Sequence, residues 1–218
     1  MYKFKREFKL FVIRLIAFFY FGLIASWAMA NNLASQQLAQ FNQTVQTARG
    51  EFTQIVFSQT GKIKQQSQGV FSFSRPGKFR WQITDPFPQT IVSNGKQVIT
   101  YDPDLEQASI RSANSALEST PSALLFGQAQ LDRLFKMTNV EKSLGDLNWL
   151  EAEPYDSSGL FNQIRIGWRE QLPRVLEISD SLGQVTRLTL SNWETQVEFK
   201  PTEFELELPP GVDLLEIN

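Results

Sequence analysis

From Lys78 to Thr84 the chain reads Lys-Phe-Arg-Trp-Gln-Ile-Thr, and strict alternation sends Phe79, Trp81 and Ile83 to one face of a strand and Arg80 and Gln82 to the other. Phe71 and Phe73 alternate in the same way on the stretch before it, and the turn Arg75-Pro76-Gly77 folds the two into a hairpin with the rings on a shared face. Strand patterns recur on both sides. Glu51 to Ser58 and Gly69 to Ser74 are joined by a polar stretch containing Gly61; Gln89 to Ser93 meets Lys96 to Tyr101 through Asn94-Gly95, a strong hairpin signal; Gln107 to Arg111 follows Asp102-Pro103-Asp104. The pattern resumes at Thr138 to Glu141, Trp149 to Glu153, Phe161 to Trp168, Arg174 to Ser179, Gln184 to Trp193 and Gln196 to Phe199, and Phe204 to Leu208 alternates until Pro209-Pro210-Gly211 ends it. The reading is an antiparallel meander of about eleven strands with short turns.

Two stretches follow the helical period instead. Leu33, Leu38, Phe41, Val45 and Ala48 mark one amphipathic helix from Leu33 to Arg49, with Gly50 as its C-cap. Ser119-Thr120-Pro121 opens a short helix through Phe126 to Gly127, and Leu131 to Phe135 reads as a second. Helices this short are stable only when packed on something, and their place between two sets of strands makes them a cover for the sheet.

The first thirty residues stand outside this pattern. Lys3, Lys5, Arg6 and Lys9 precede the apolar run Leu15 to Ala25, and Ala28-Met29-Ala30 fits the small-x-small cleavage signature, so residues 1–30 read as a signal peptide cut after Ala30. An uncleaved anchor is the alternative, but Arg14 interrupts the apolar stretch, and the run beyond it is short of the roughly 20 residues a spanning helix needs. No cysteine stands at the cleavage point to be lipidated, so the expected product is soluble. Residues 31–218 then form one domain, without repeat, low-complexity tract or linker.

Composition narrows the chemistry. The 218 residues include no histidine and no cysteine, which removes the commonest general base and neutral metal ligand together with thiolate, disulfide and Fe–S chemistry. No phosphate-binding glycine loop is present either, and no cofactor is expected. The leader holds five of the 21 basic residues and one of the 23 acidic ones, leaving 16 against 22 and a formal net charge of −6. An acidic exported chain without a basic cluster is poorly suited to nucleic acid or to an anionic membrane surface, which leaves proteins and apolar ligands as partners.

Eighteen phenylalanines and five tryptophans are a heavy aromatic load. The shared face of Phe71, Phe73, Phe79, Trp81 and Ile83 is either ordinary core or the wall of an apolar cavity, since a strongly bent sheet of this size need not be filled by its own side chains. Arg75, at the end of the aromatic strand, is either a solvated turn residue or a donor to the unpaired carbonyls that end a short helix. Carboxylate catalysis by Asp102 and Asp104, or by Glu203, Glu205 and Glu207, is the enzymatic alternative; Asp-Pro-Asp reads as a turn, however, and glutamates alternating with Phe204, Leu206 and Leu208 read as a solvated strand face.

The blocks Arg75-Pro-Gly-Lys-Phe-Arg-Trp81, Ile91-Val-Ser-Asn-Gly-Lys96 and Tyr101-Asp-Pro-Asp-Leu-Glu-Gln107, with the ending Leu208-Pro-Pro-Gly-Val-Asp213, resemble in order and spacing the signature blocks of the periplasmic outer-membrane lipoprotein carriers, the LolA family. The resemblance implies an incomplete antiparallel β-barrel of about eleven strands whose apolar cavity is covered by short helices. It also implies a non-enzymatic, monomeric periplasmic chaperone that takes triacylated lipoproteins from an inner-membrane ABC-type release complex to an outer-membrane receptor lipoprotein. By the same resemblance Arg75 ties the lid and Phe79 and Trp81 belong to the wall, to which strand geometry adds Phe71, Phe73 and Ile83. A sensor of lipoproteins or a small-lipid binder of the same fold is the alternative reading.

Overall fold

A computed structural model describes residues 33–113, 135–140, 145–156 and 161–217. One helix, α1 (Ala34–Thr44), leads into β1 (Thr47–Phe57), β2 (Ile63–Ser74), β3 (Lys78–Asp85), β4 (Gln89–Asn94), β5 (Gln97–Asp102) and β6 (Gln107–Ser112). Further along come β7 (Phe135–Asn139), β8 (Asn148–Pro154), β9 (Phe161–Arg169), β10 (Leu172–Asp180) and β11 (Val185–Thr195), then a 3-10 turn (Pro201–Phe204) and β12 (Asp213–Glu216). These twelve strands form one sheet in the order β12-β6-β5-β4-β3-β2-β1-β11-β10-β9-β8-β7, which does not close on itself. Each neighbouring pair is antiparallel except β12 with β6. The pattern predicts an antiparallel meander of about eleven strands and the family resemblance implies an incomplete barrel; the sheet is open and mainly antiparallel, with twelve strands.

Four local readings are corrected. The helix stops at Thr44 rather than Arg49, because Thr44, Val45 and Thr47 are β-branched and Ala48, Gly50 and Phe52 already alternate as a strand. Gly50 is therefore no cap; it lies within β1 opposite Phe71, whose ring would stand 2.6 Å from an added Cβ. Gln196 to Phe199 and Phe204 to Leu208 join no ladder: Phe204 closes the 3-10 turn, the chain beyond it runs extended, and the twelfth strand forms later, at Asp213. Phe135 opens β7 rather than ending a helix, while the other residues of the two short helices between Ser119 and Leu134 lie outside the described residues, as does the leader.

Inward residues of neighbouring strands stand opposite one another and fill the interior. Leu150, Ile166, Leu176 and Leu188 run across β8, β9, β10 and β11, and on the adjoining row Leu190 of β11 stands opposite Phe52 of β1. Gly69 sits where β2 shifts register against β3; a Cβ there would fall 1.9 Å from the Gln82 carbonyl oxygen and 2.8 Å from the Phe52 ring. Gly69→Ala is accordingly expected to lower the unfolding free energy by about 2–3 kcal/mol, read from a urea melt; an unchanged midpoint would mean that β2 and β3 can part freely.

The outer face is polar. Glu177, nearly buried, accepts hydrogen bonds from Arg165 on β9 and Arg187 on β11, and Arg165 also reaches Glu151 on β8, so four strands carry one alternating charge ladder. Across β3, Arg80 donates to the carbonyls of Glu203 (2.9 Å) and Glu205 (2.8 Å), Ser72 donates to the Glu203 carboxylate, and Phe204 is buried beneath the C-terminal segment. Arg80→Ala is expected to leave the inner face intact but to raise the rate of proteolytic cleavage within residues 197–217 several-fold. Equal cleavage of variant and parent would contradict that clasp.

Candidate functional site

The hairpin of β2 and β3 pairs Phe71 with Trp81, Phe73 with Phe79, and Gly69 with Ile83. The four rings are 4% exposed or less, and Ile83, nearer the open end of the strands, is half-buried against them. Further rings arrive from elsewhere: Phe52 stacks on Trp81 at 3.7 Å between centroids, and Trp193 lies edge-on to Phe71 at 4.8 Å. Phe41 of α1 touches Phe73, Trp168 and Trp193, with centroids 5.6 to 6.1 Å apart. The predicted face is therefore part of an aromatic cluster built from α1, β1, β2, β3, β9 and β11.

Helix α1 lies over one end of this interior. Ser35 and Gln37 bond Asn139 at the end of β7 and Asn148 at the start of β8, and just past the end of the helix Gln46 meets Arg75 at the β2–β3 turn. Arg75 bridges the helix end and the hairpin turn. Its backbone N–H donates to the Gln46 carbonyl at 2.8 Å, and its Nε donates to the carbonyl of Val45, the residue that ends α1, at 3.1 Å. The guanidinium carbon stands 5.3 Å from the centroid of Phe41 and 5.2 Å from that of Phe73, so the cation joins a ring of the helix to a ring of the sheet. Burial pushes its pKa below the ordinary arginine value, yet a guanidinium keeps its charge and all its donors. Arg75 is thus placed as a donor to a carbonyl at a helix end, with the N-terminal helix as acceptor.

The carboxylates considered for catalysis do not converge. Asp102 accepts the Leu105 N–H within its turn, Glu203 accepts from Ser72, and Glu205 and Glu207 lie along the extended tail. A cleft of about 350 Å³ does open on the outer face between Arg49, Glu51, Arg80, Asn192, Glu194 and Glu203. Its charges are already engaged: Arg49 with Glu194, Glu51 with Asn192, and Arg80 with the tail carbonyls. Among the described residues no cluster of carboxylates could hold a metal ion, and no helix is long and apolar enough to cross a membrane.

Residues 43–207 match the family model described as outer membrane lipoprotein carrier protein LolA. The chain belongs to the LolA family. An outer-membrane lipoprotein carrier protein of Bordetella avium (strain 197N) is 37% identical over 206 residues, spanning 94% of this chain and 98% of its own; the protein of that name from Bordetella pertussis (strain Tohama I) is 39% identical over 192 residues, 88% and 89%. These LolA relatives are named as carriers rather than enzymes. Among solved structures, an uncharacterized conserved protein from Thermus thermophilus superposes with a TM-score of 0.54 at 12% identity, covering 84% of this chain and 99% of its own. A LolA superfamily protein from Nitrosomonas europaea does so with 0.50 at 12% identity, over 80% and 98%. At such identity these two support the LolA fold alone.

Proposed function

We propose that this protein is a periplasmic carrier that receives triacylated lipoproteins from an ABC-type release complex in the inner membrane and delivers them to a receptor lipoprotein on the outer membrane. Residues 1–30 direct export and are removed, and residues 31–218 act as the carrier domain. The acyl chains lie against the inner face, with Phe71, Phe73, Phe79, Trp81 and Ile83 in the wall and Arg75 as the latch of the covering helix.

The observation that carries this reading is the coupling of an apolar interior to a helix fastened by a part-buried arginine. Exposing acyl chains costs about 0.8 kcal/mol per CH₂, so an anchor of several long chains does not cross water unshielded. Phe73 of that wall packs against Phe41 of α1, and separating the two requires the Arg75 hydrogen bond to Val45 and its contact with the Phe41 ring to give way. That is a small barrier beside the apolar surface gained from the cargo, and one that docking of a partner can shift.

Mixing the mature protein with a synthetic triacylated cysteinyl peptide and recording native mass spectra tests the reading. A one-to-one complex is expected. Spectra that show only the empty protein at micromolar peptide would contradict it.

A further inference from the structure

The inner face is not apolar from end to end. Toward α1 it is mostly rings and aliphatic side chains, with Ser93 and Arg111 among them, but at the other end of the central strands the inward positions are Thr186 on β11, Gln54 on β1, Gln65 and Ser67 on β2, and Gln89 on β4. Gln54 and Ser67 stand directly opposite each other, Thr186 and Gln65 flank Val56, and Gln89 faces Ile83. Each of the five side chains has hydrogen-bonding atoms to offer and none carries charge.

Ser67 sets this stretch apart. It is 2% exposed, and its Oγ is buried without a hydrogen-bond partner. Buried hydroxyls in native interiors are nearly always paired, so an unpaired one facing the interior is a donor open to a partner that enters it. Its neighbours restrict what that is. A phosphate or carboxylate would need a cation, and the inward-facing Arg111 lies on β6 opposite Val98, toward the α1 end and away from Ser67.

We propose that this neutral arc recognises the linkage region of a triacylated anchor, with the Ser67 hydroxyl donating to an ester or amide carbonyl. The inference rests on the carrier reading and adds to it a means of choosing cargo. The chains of such an anchor join the cysteine through esters and an amide, which are neutral acceptors matched to hydroxyl and carboxamide donors. A phospholipid offers similar chains but brings its phosphate to a site where, among the described residues, no counter-charge stands.

The test measures binding of a synthetic triacylated cysteinyl peptide, and of an analogue in which alkyl ethers and an amine replace the carbonyls, to the mature protein and to Ser67→Ala. Loss of one hydrogen bond predicts about 5- to 10-fold weaker binding of the acylated peptide by the variant and less than about twofold change for the analogue. Because the substitution removes an unpaired hydroxyl, the thermal midpoint of the empty variant is expected to be unchanged or higher, which a merely structural serine would not give. Equal effects on both ligands, or no effect on the acylated peptide, overturn the inference and leave the carrier reading in place. Failure of the parent protein to bind either ligand overturns both.

Discussion

Arg75→Leu is expected to take up cargo as the parent does and to release it to an acceptor at least about tenfold more slowly. The donor bond to the Val45 carbonyl and the contact with the Phe41 ring exist only while α1 lies over the cluster, whereas the contact with Phe73 stays within the sheet. On the carrier reading, cargo that displaces the helix would break the bond to Val45 and the Phe41 contact, and their re-formation would help to expel the cargo. A hydrogen bond from a charged donor contributes about 1.5–3 kcal/mol, so its loss shifts the closed-to-open ratio by about 10- to 150-fold toward open. Leucine fills part of the space but cannot bond a carbonyl, and Arg75→Lys, which lacks the planar group that spans two rings, is expected to fall between the two. Transfer of a labelled lipoprotein to outer-membrane vesicles measures the effect. Parent-like transfer by the leucine variant would leave Arg75 as a packing residue only.

Phe79→Glu is expected to lower the unfolding free energy by about 3–5 kcal/mol and cargo uptake by more than about tenfold. Phe79 is 1% exposed, paired with Phe73 on one side and Ser93 on the other. A carboxylate there has no cation across either strand. Burial would raise the pKa of the introduced carboxyl, so its folded-state value exceeds the unfolded one; the variant is then least stable above that value and recovers as pH falls through it. Unfolding at about pH 5 and about pH 8 tests that sign. Phe79→Leu separates folding from cargo handling, since it keeps an apolar wall at a cost near 1 kcal/mol and is expected to keep uptake within about threefold. Full uptake by the glutamate variant would remove Phe79 from the wall.

The β2–β3 hairpin was legible because both strands alternate without a break and the turn residues fix where they meet. The other parts of the ring cluster were hidden by irregularities. On β11 the inward run Leu188, Leu190 points to Asn192 as the next inward residue, but the register of β1 against β11 shifts between Arg49 and Glu51, Asn192 adopts φ 50°, and Trp193 turns inward instead. Phe41 belongs to a visible helical stripe, yet no local pattern says which strands it will meet. Val45 was hidden because its spacing fits the helix while its β-branched side chain favours the strand that comes next. The tail misled in the opposite direction: Phe204, Leu206 and Leu208 do alternate with glutamates, but the chain there lies on the outer face of the sheet, held by Arg80, and adds no strand to it. That Arg75 ties a covering helix came from the family blocks as an expectation, since periodicity says nothing of it.

The most direct test of the carrier reading is to incubate the purified mature protein with membranes containing the inner-membrane release complex and a labelled triacylated lipoprotein, then to ask whether the label becomes soluble. ATP-dependent release into a one-to-one complex with this protein is expected. Label that stays in the membrane although the protein is folded would contradict it.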